Sequence, residues 1–227
     1  MNMEIIPGIH QLQGGMVNCQ LIVSEDNIIL IDTGLPGDSS KIINYVEKAL
    51  KRSRQDVKTI VITHNHFDHI GGLSRVKKAT GASVAIHPAD ADYIKGKGKH
   101  SGSSFMNFLV KLFQIVYRTK PVEPDILLND GDSIGEYQII HTPGHTKGSI
   151  CLYNPEKKVM FVGDNLQYKE GKLQSPGERL IPEPEKYEES MKKLLNYDIE
   201  VILTGHTAPV TSGGNDLLRE FIADFKR

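Results

Sequence analysis

Short apolar runs alternate with longer segments in which apolar residues recur at helical spacing, and this pattern predicts an α/β fold. The apolar runs predict strands at 17–23, 28–31, 59–63, 83–86, 125–128, 137–141, 149–153, 159–162 and 199–203. A first helix is expected to begin at Asp38 or Ser39, as the N-cap, and to end near Leu50. Further helices are predicted from the turn after the 59–63 strand to Thr80, where Gly81 ends the helix, at 184–196 and at 215–225.

One stretch, 95–124, breaks this alternation. A basic, glycine-rich segment is followed by residues 105–117, whose apolar side chains recur at helical spacing but extend beyond one narrow stripe. Such a surface needs a cover, which the core, a lid position, a second subunit, a membrane surface or an apolar substrate could supply. We therefore expect one domain over residues 1–227, with a lid or homodimer-interface insertion at about 95–124.

Composition excludes several classes of protein. The hydrophobic share of 39% and the charged share of 24% are those of a globular chain. The formal net charge of −1 gives no general attraction to nucleic acid, so we expect a small-molecule substrate. No apolar run approaches the roughly 18 residues of a membrane span, and the N-terminal residues do not resemble a secretory signal, so a cytoplasmic location is expected. Cys19 and Cys151 are interpreted as small buried hydrophobes, with a disulfide or a reactive thiol as the alternative.

The most informative stretch is Thr-His-Asn-His-Phe-Asp-His at 63–69, between an apolar run and a pair of glycines. Packing does not explain so many imidazoles and a carboxylate, because each buried one would need its own polar partner. Imidazole nitrogen and carboxylate oxygen are common zinc ligands. On a turn after a strand, His64 and His66 can point to one metal ion while Asp68 and His69 point to a second.

Other polar side chains also follow predicted strands, namely Asp32, His145, Asp164 and His206. Because strand ends collect at one edge of a sheet, residues that are far apart in sequence can meet there. Asp32 could support a metal ligand or cap a turn, and both interpretations stay open. His87 is interpreted as a turn or capping residue rather than a ligand.

Together these residues resemble the metallo-β-lactamase superfamily. The resemblance rests on His-x-His-x-Asp-His at 64–69, Pro-Gly-His-Thr at 143–146, Gly-Asp at 163–164 and a late Gly-His at 205–206. It implies an α/β fold, the four-layer αββα sandwich, with a two-metal site. Carried over by position, it implies one metal ion held by His64, His66 and His145, a second held by Asp68, His69 and His206, a bridging Asp164, and a supporting Asp32.

Departures from particular subfamilies narrow the expected chemistry. Asp164 stands where β-lactamases of the superfamily have cysteine or serine, and His66 stands where flavo-diiron proteins have glutamate. Nucleases of the superfamily usually add a basic surface, and glyoxalase II enzymes add a helical part for glutathione, neither of which is evident here. The acyl-homoserine lactonases are similar in size and ligand set, and they carry a tyrosine soon after the bridging aspartate, where Tyr168 lies four residues along.

We therefore expect a binuclear hydrolase with two Zn²⁺ per chain, for which iron or manganese are the alternatives. In this hypothesis a metal-bridging hydroxide attacks an ester, thioester or lactone carbonyl of a small acyl substrate, which the 105–117 segment suggests is hydrophobic. Asp68 would accept the proton and Tyr168 would donate a hydrogen bond to the carbonyl oxygen. A mononuclear-iron sulfur dioxygenase and a phosphodiesterase are the alternatives on the same scaffold. A structural zinc module is disfavoured because such sites are usually closed and rich in cysteine.

Overall fold

The computed structural model describes residues 3–97 and 120–226. The apolar segment predicted at 105–117 lies outside the described residues, as does most of the predicted insertion. The chain divides into two compact units, Met1–Leu127 and Leu128–Arg227. Among the helices of the described part, none combines the length and the hydrophobicity that a membrane crossing requires.

The first unit is built on a seven-stranded sheet in which the strands follow chain order. The strands are β1 (Met3–Ile6), β2 (Ile9–Gln13), β3 (Asn18–Val23), β4 (Ile28–Ile31), β5 (Val57–Ile62), β6 (Ser83–Ile86) and β7 (Ile126–Leu127). Neighbours from β1 to β4 pair antiparallel, and those from β4 to β7 pair parallel. Parallel strands place their carboxyl ends at one edge, and the 63–69 turn follows β5 at that edge.

Helices of the first unit connect the parallel strands. They are α1 (Asp38–Asn44), which continues as a wider helical turn at Tyr45–Ala49, α2 (Phe67–Ile70), α3 (Leu73–Thr80) and α4 (Pro88–Ile94). The core on the helical side of the sheet includes Ile42, Val46, Ile60 and Val76, all at most 1% exposed. The opposite face is buried as well, since Ile31 and other residues of that face are fully covered. Sheets buried on both faces have continuously apolar strands, which explains the unbroken apolar runs of β4 and of residues 60–62 in β5.

The second unit has a five-stranded sheet in the order β14-β11-β10-β9-β8. The strands of this unit are β8 (Ser133–Ile134), β9 (Tyr137–His141), β10 (Ile150–Asn154), β11 (Val159–Gly163), β12 (Gln167–Lys169), β13 (Lys172–Gln174) and β14 (Val201–Thr204). β11 and β14 are parallel, the other neighbours of the sheet are antiparallel, and β12 pairs with β13 as a separate hairpin. Its helices are α5 (Pro184–Leu194) and α6 (Gly214–Ala223).

Most predicted elements are present, with small differences at their ends, but the single helix predicted from the histidine turn to Thr80 is two helices, α2 and α3, separated by Gly71 and Gly72. Gly81 ends α3 in the left-handed conformation with φ of 75°, as predicted. His87 caps α4, because its Nδ1 accepts a hydrogen bond from Ala89 N at 3.2 Å, which also agrees with the prediction. The predicted cap of α1 is one residue out of place: Gly37 is the N-cap, and the Asp38 carboxylate instead accepts hydrogen bonds from Gly15 N and Leu35 N.

Candidate metal centre

The histidine turn of the first unit carries four ligand candidates within six residues. Thr63 follows β5 directly, and His66 is the N-cap of α2, so that its carbonyl accepts hydrogen bonds from His69 N at 2.9 Å and Ile70 N at 3.1 Å. The ring centroid of His64 lies 4.7 Å from that of His66 and 4.0 Å from that of His69. Asp68 occupies the first turn of the same short helix. The first unit therefore supplies four ligand candidates from one turn and the short helix that follows it.

Asp32 stabilises this turn through buried hydrogen bonds. It follows β4 with φ of 57°, a left-handed conformation that is unusual outside glycine and is often found at functional sites. Its side chain is 1% exposed and accepts hydrogen bonds from Thr63 N at 2.9 Å, Thr63 Oγ1 at 2.7 Å and His69 Nδ1 at 2.7 Å. A carboxylate bound to Nδ1 fixes the ring and raises its basicity at Nε2. Of the two interpretations left open above, this geometry favours support of a ligand candidate.

Tight backbone packing fixes the end of α2 against the turn after Asp32. Thr33 donates two hydrogen bonds to the carbonyl of His69, from N at 2.8 Å and from Oγ1 at 2.9 Å. Gly72 N donates to Gly34 O at 3.0 Å, and a Cβ on Gly72 would lie only 2.4 Å from Thr33 O. The glycine after the histidine motif is therefore required by close backbone approach.

Asp90 is a further supporting residue, which the sequence did not identify. It lies in the first turn of α4, is 1% exposed, and accepts a hydrogen bond from Asn65 N at 3.0 Å. Asn65 separates His64 from His66, so this bond fixes the backbone between two ligand candidates. An acidic residue is common in the first turn of a helix for electrostatic reasons alone. The position of Asp90 in the sequence therefore did not indicate its contact with Asn65.

The second unit contributes the other three candidates, each after a strand of its sheet. Asp164 Oδ2 lies 3.0 Å from His206 Nε2 and 3.7 Å from His145 Nε2. Two donors at about 2.05 Å from one tetrahedral zinc ion are about 3.3 Å apart, so both distances suit donors that share a metal ion. His145 Nδ1 donates to the carbonyl of Leu180 at 2.7 Å, which leaves Nε2 as its ligand atom. The donor types and spacings therefore fit a zinc site.

Hydrogen bonds also fix the turns that carry these three residues. Asn165, next to Asp164, donates a hydrogen bond from Nδ2 to Thr142 Oγ1 at 2.9 Å. The backbone carbonyl of Asn165 accepts a hydrogen bond from Tyr187 Oη at 2.6 Å. Tyr168 lies half-buried on β12, and its backbone N donates to Thr207 Oγ1 at 2.8 Å. The strand of Tyr168 is thus attached to the turn of His206. The role of its hydroxyl group stays a prediction.

A pocket lies beside the histidine turn within the first unit. Its volume is about 200 Å³, and its lining combines apolar side chains, among them Phe67, Ile70 and Val122, with the polar Ser74 and Lys120. Phe67 stands between two ligand candidates in the sequence, and Ile70 follows a third. A volume of about 150 Å³ is enough for a benzene molecule, so the size of this pocket suits a short acyl group.

Neither cysteine belongs to the donor sets. Both thiols are buried and free of disulfides, as the sequence predicted. Burial raises the pKa of Cys19 well above its usual value, with the nearby charges of Asp32 and Asp38 adding to the effect. Burial likewise raises the pKa of Cys151 to about 11. Both thiols are therefore protonated and unreactive at neutral pH.

These observations define an α/β protein with a candidate His/Asp metal centre at its strand ends. A family model described as the metallo-beta-lactamase superfamily matches residues 12–206. The chain belongs to the metallo-β-lactamase superfamily, as its motifs predicted.

Several relatives have names that describe an activity. The "Probable metallo-hydrolase YflN" of Bacillus subtilis is 29% identical over 92% of this chain and 87% of its own length. The human "Acyl-coenzyme A thioesterase MBLAC2" is 29% identical over 66% of this chain and 58% of its own length. The "Hydroxyacylglutathione hydrolase GloC" of Haemophilus influenzae is 30% identical over 73% of this chain and 72% of its own length. These relatives support a hydrolase.

The fold agrees with solved structures of the superfamily. The class B3 di-zinc metallo-β-lactamase LRA-12 from an Alaskan soil metagenome superposes with a TM-score of 0.72, at 21% identity, over 99% of this chain and 91% of its own. The predicted α/β metallo-β-lactamase fold is thereby confirmed. At this identity the likeness concerns the fold alone.

Proposed function

We propose that this protein is a binuclear, zinc-dependent hydrolase that cleaves the ester, thioester or lactone bond of a hydrophobic acyl substrate. The observation that carries the proposal is the pair of donor sets. One unit groups four His/Asp candidates on one turn, the other places His145 and His206 around Asp164, and internal partners orient these side chains. The proposal requires both donor sets to coordinate the same pair of zinc ions.

We assign His64, His66 and His145 to one zinc ion and Asp68, His69 and His206 to the other, with Asp164 shared. A pair of divalent ions would lower the pKa of bound water to about 7 and would polarise a carbonyl oxygen. The Asp68 carboxylate is assigned as the acceptor of the proton from the attacking water. The Tyr168 hydroxyl is assigned as a hydrogen-bond donor to the carbonyl oxygen of the substrate.

The apolar side chains in the pocket beside Phe67 support a hydrophobic acyl group. We place the acyl chain there, with its carbonyl toward the donor sets and its thiol or alcohol leaving group outside the cavity. The thioesterase among the relatives favours a thioester over an oxygen ester. Hydrolysis would then release the acyl group as a carboxylate and the remainder as a free thiol.

A metal analysis combined with a substrate panel tests this proposal. The zinc-loaded protein is assayed against acyl-coenzyme A esters, S-acyl glutathiones, acyl lactones, aryl esters and a bis-aryl phosphate. We expect about two zinc ions per chain and hydrolysis of at least one acyl class. His66→Ala should lower this activity by more than the roughly 10- to 100-fold that loss of an outer partner of a ligand costs. His10→Ala is the matched control, because His10 contacts Tyr45 and Glu4 instead.

Four outcomes would contradict the proposal. Zinc-loaded protein that hydrolyses no member of the panel, or equal activity in the two histidine variants, would remove the hydrolase assignment. About one iron ion per chain would instead favour the sulfur dioxygenase. Hydrolysis of the bis-aryl phosphate alone would favour the phosphodiesterase.

The acyl pocket has a separate test. Val122 is 7% exposed and lines the cavity, and it belongs to neither donor set. Val122→Phe should fill part of the cavity, raising KM for long acyl chains while leaving short ones nearly unchanged. An equal effect on both chain lengths would place the acyl group elsewhere.

A further inference from the structure

The hydroxyl group of Thr63 lies between the carboxylate that supports one histidine and the ring of another. Its Oγ1 is 2.7 Å from Asp32 Oδ2 and 3.0 Å from His64 Nδ1. The same Oδ2 is 2.7 Å from His69 Nδ1. All four side chains are at most 1% exposed, so water does not compete for these contacts. The contacts form one chain from His64 through Thr63 and Asp32 to His69.

Counting protons gives every contact in this chain a direction. An ionised carboxylate only accepts hydrogen bonds, and a threonine hydroxyl has a single proton to donate. Thr63 therefore donates to Asp32 and has no proton left for His64. It follows that His64 donates its Nδ1 proton to Thr63, just as His69 donates its Nδ1 proton to Asp32. Both rings then carry their proton on Nδ1, and Nε2 is the ligand atom of each.

We propose that Thr63 is a positioning residue that, together with Asp32, sets the tautomers of His64 and His69 at the same time. The inference rests on the proposed function, in which these two histidines serve different zinc ions. One buried carboxylate thereby prepares a ligand for each metal position, directly at His69 and through the hydroxyl group at His64. A change at the hydroxyl group should affect His64 first.

Substitution at Thr63 separates this role from simple support of the strand end. The backbone bond from Thr63 N to Asp32 Oδ1, at 2.9 Å, is retained in any variant. Thr63→Val removes the hydroxyl group at nearly constant volume, and Thr63→Ser retains it. Thr80→Val is the matched control, because Thr80 is a buried threonine of the same unit whose hydroxyl donates to Val76 O at 2.8 Å, away from the donor sets.

The direct test is nitrogen NMR of the imidazole rings in the full-length protein, zinc-loaded and again after chelation, at a pH at which the rings are neutral. We expect protonated Nδ1 on His64 and His69 in the wild-type protein, in Thr63→Ser and in Thr80→Val. In Thr63→Val, His64 should lose its fixed Nδ1 proton while His69 keeps its own. Zinc affinity, measured by competition with a chelator, should fall about 10- to 100-fold in Thr63→Val and recover in Thr63→Ser.

Two results would overturn the inference. The first is a wild-type His64 that carries its proton on Nε2, which can be seen even if a variant fails to fold. The second is a Thr63→Val protein whose tautomers and zinc affinity match those of Thr80→Val. The expected tautomers in a chain that binds no zinc would support the hydrogen-bond chain and contradict the proposed function, so the two failures are distinguishable.

Discussion

Gly144, the residue before His145, should be among the least replaceable positions of the second unit. Its φ is 137°, and a Cβ there would lie 2.5 Å from Cα and Cβ of Tyr187 and 2.6 Å from its N. Tyr187 is 3% exposed and lies in α5. Contacts of a real Cβ essentially never fall below 3.0 Å, so α5 or the 143–146 turn would have to move by about half an ångström.

The cost of Gly144→Ala can be divided into two parts. A left-handed conformation costs a non-glycine residue about 1–2 kcal/mol. Overpacking of a rigid, buried contact adds about 1–3 kcal/mol. Gly144→Ala should therefore lower the free energy of unfolding by about 2–5 kcal/mol. Because His145 follows directly, the same movement should also weaken zinc binding.

Gly131→Ala is the matched control. Gly131 has φ of 85° in the same unit, but a Cβ there would meet nothing within 4 Å, so only the conformational cost of about 1–2 kcal/mol applies. The assay is urea unfolding followed by circular dichroism, with zinc per chain measured on the same samples. Equal stability losses in the two variants, with zinc content unchanged in Gly144→Ala, would refute the crowding argument.

Three further predictions concern single groups. Tyr187→Phe removes the hydroxyl group that donates to Asn165 O at 2.6 Å and should lower the free energy of unfolding by about 0.5–1.5 kcal/mol in urea. Burial raises the pKa of Cys151 to about 11, whereas an unfolded thiol has a pKa of about 8.5. The folded state therefore holds this proton more tightly, and the stability that the buried thiol contributes below pH 8.5 should be lost as the pH rises toward 11. Alkylation of the native protein at pH 8 should be slow, and fast alkylation would contradict the burial. Chelation should lower the unfolding midpoint and the activity together. Zinc at 100 times its dissociation constant should restore about 2.7 kcal/mol of the free energy of unfolding. An unfolding midpoint that does not change with zinc would argue against a bound metal.

Strand periodicity and ligand spacing allowed much of the fold to be predicted. The strands β3 to β6 and β9 to β11 each contain a short run of buried apolar residues, so they stand out from their neighbours in the sequence. The first hairpin, β1 and β2, was missed because β1 is a short, partly exposed edge strand and β2 has only two apolar residues, Ile9 and Leu12. The hairpin of β12 and β13 was missed because its strands are short and largely polar.

The supporting contacts of the candidate site were harder to predict than the ligand candidates. Leu180 orients His145 through its carbonyl oxygen, a group that every residue possesses, so the identity of Leu180 carries no signal. Asp38 was assigned to a helix cap because capping is the commonest use of such a residue, but its carboxylate holds the loop of Gly15 instead. Contacts of this kind depend on tertiary neighbours, which local sequence does not specify.

The central claim is that seven side chains from both units hold one pair of metal ions. Anomalous diffraction from crystals of the zinc-loaded protein tests it most directly. The account predicts two zinc peaks per chain, about 3.5–4 Å apart. One should contact His64, His66 and His145, the other Asp68, His69 and His206, and both should contact Asp164. A single peak, or two peaks that each contact the side chains of only one unit, would contradict the account.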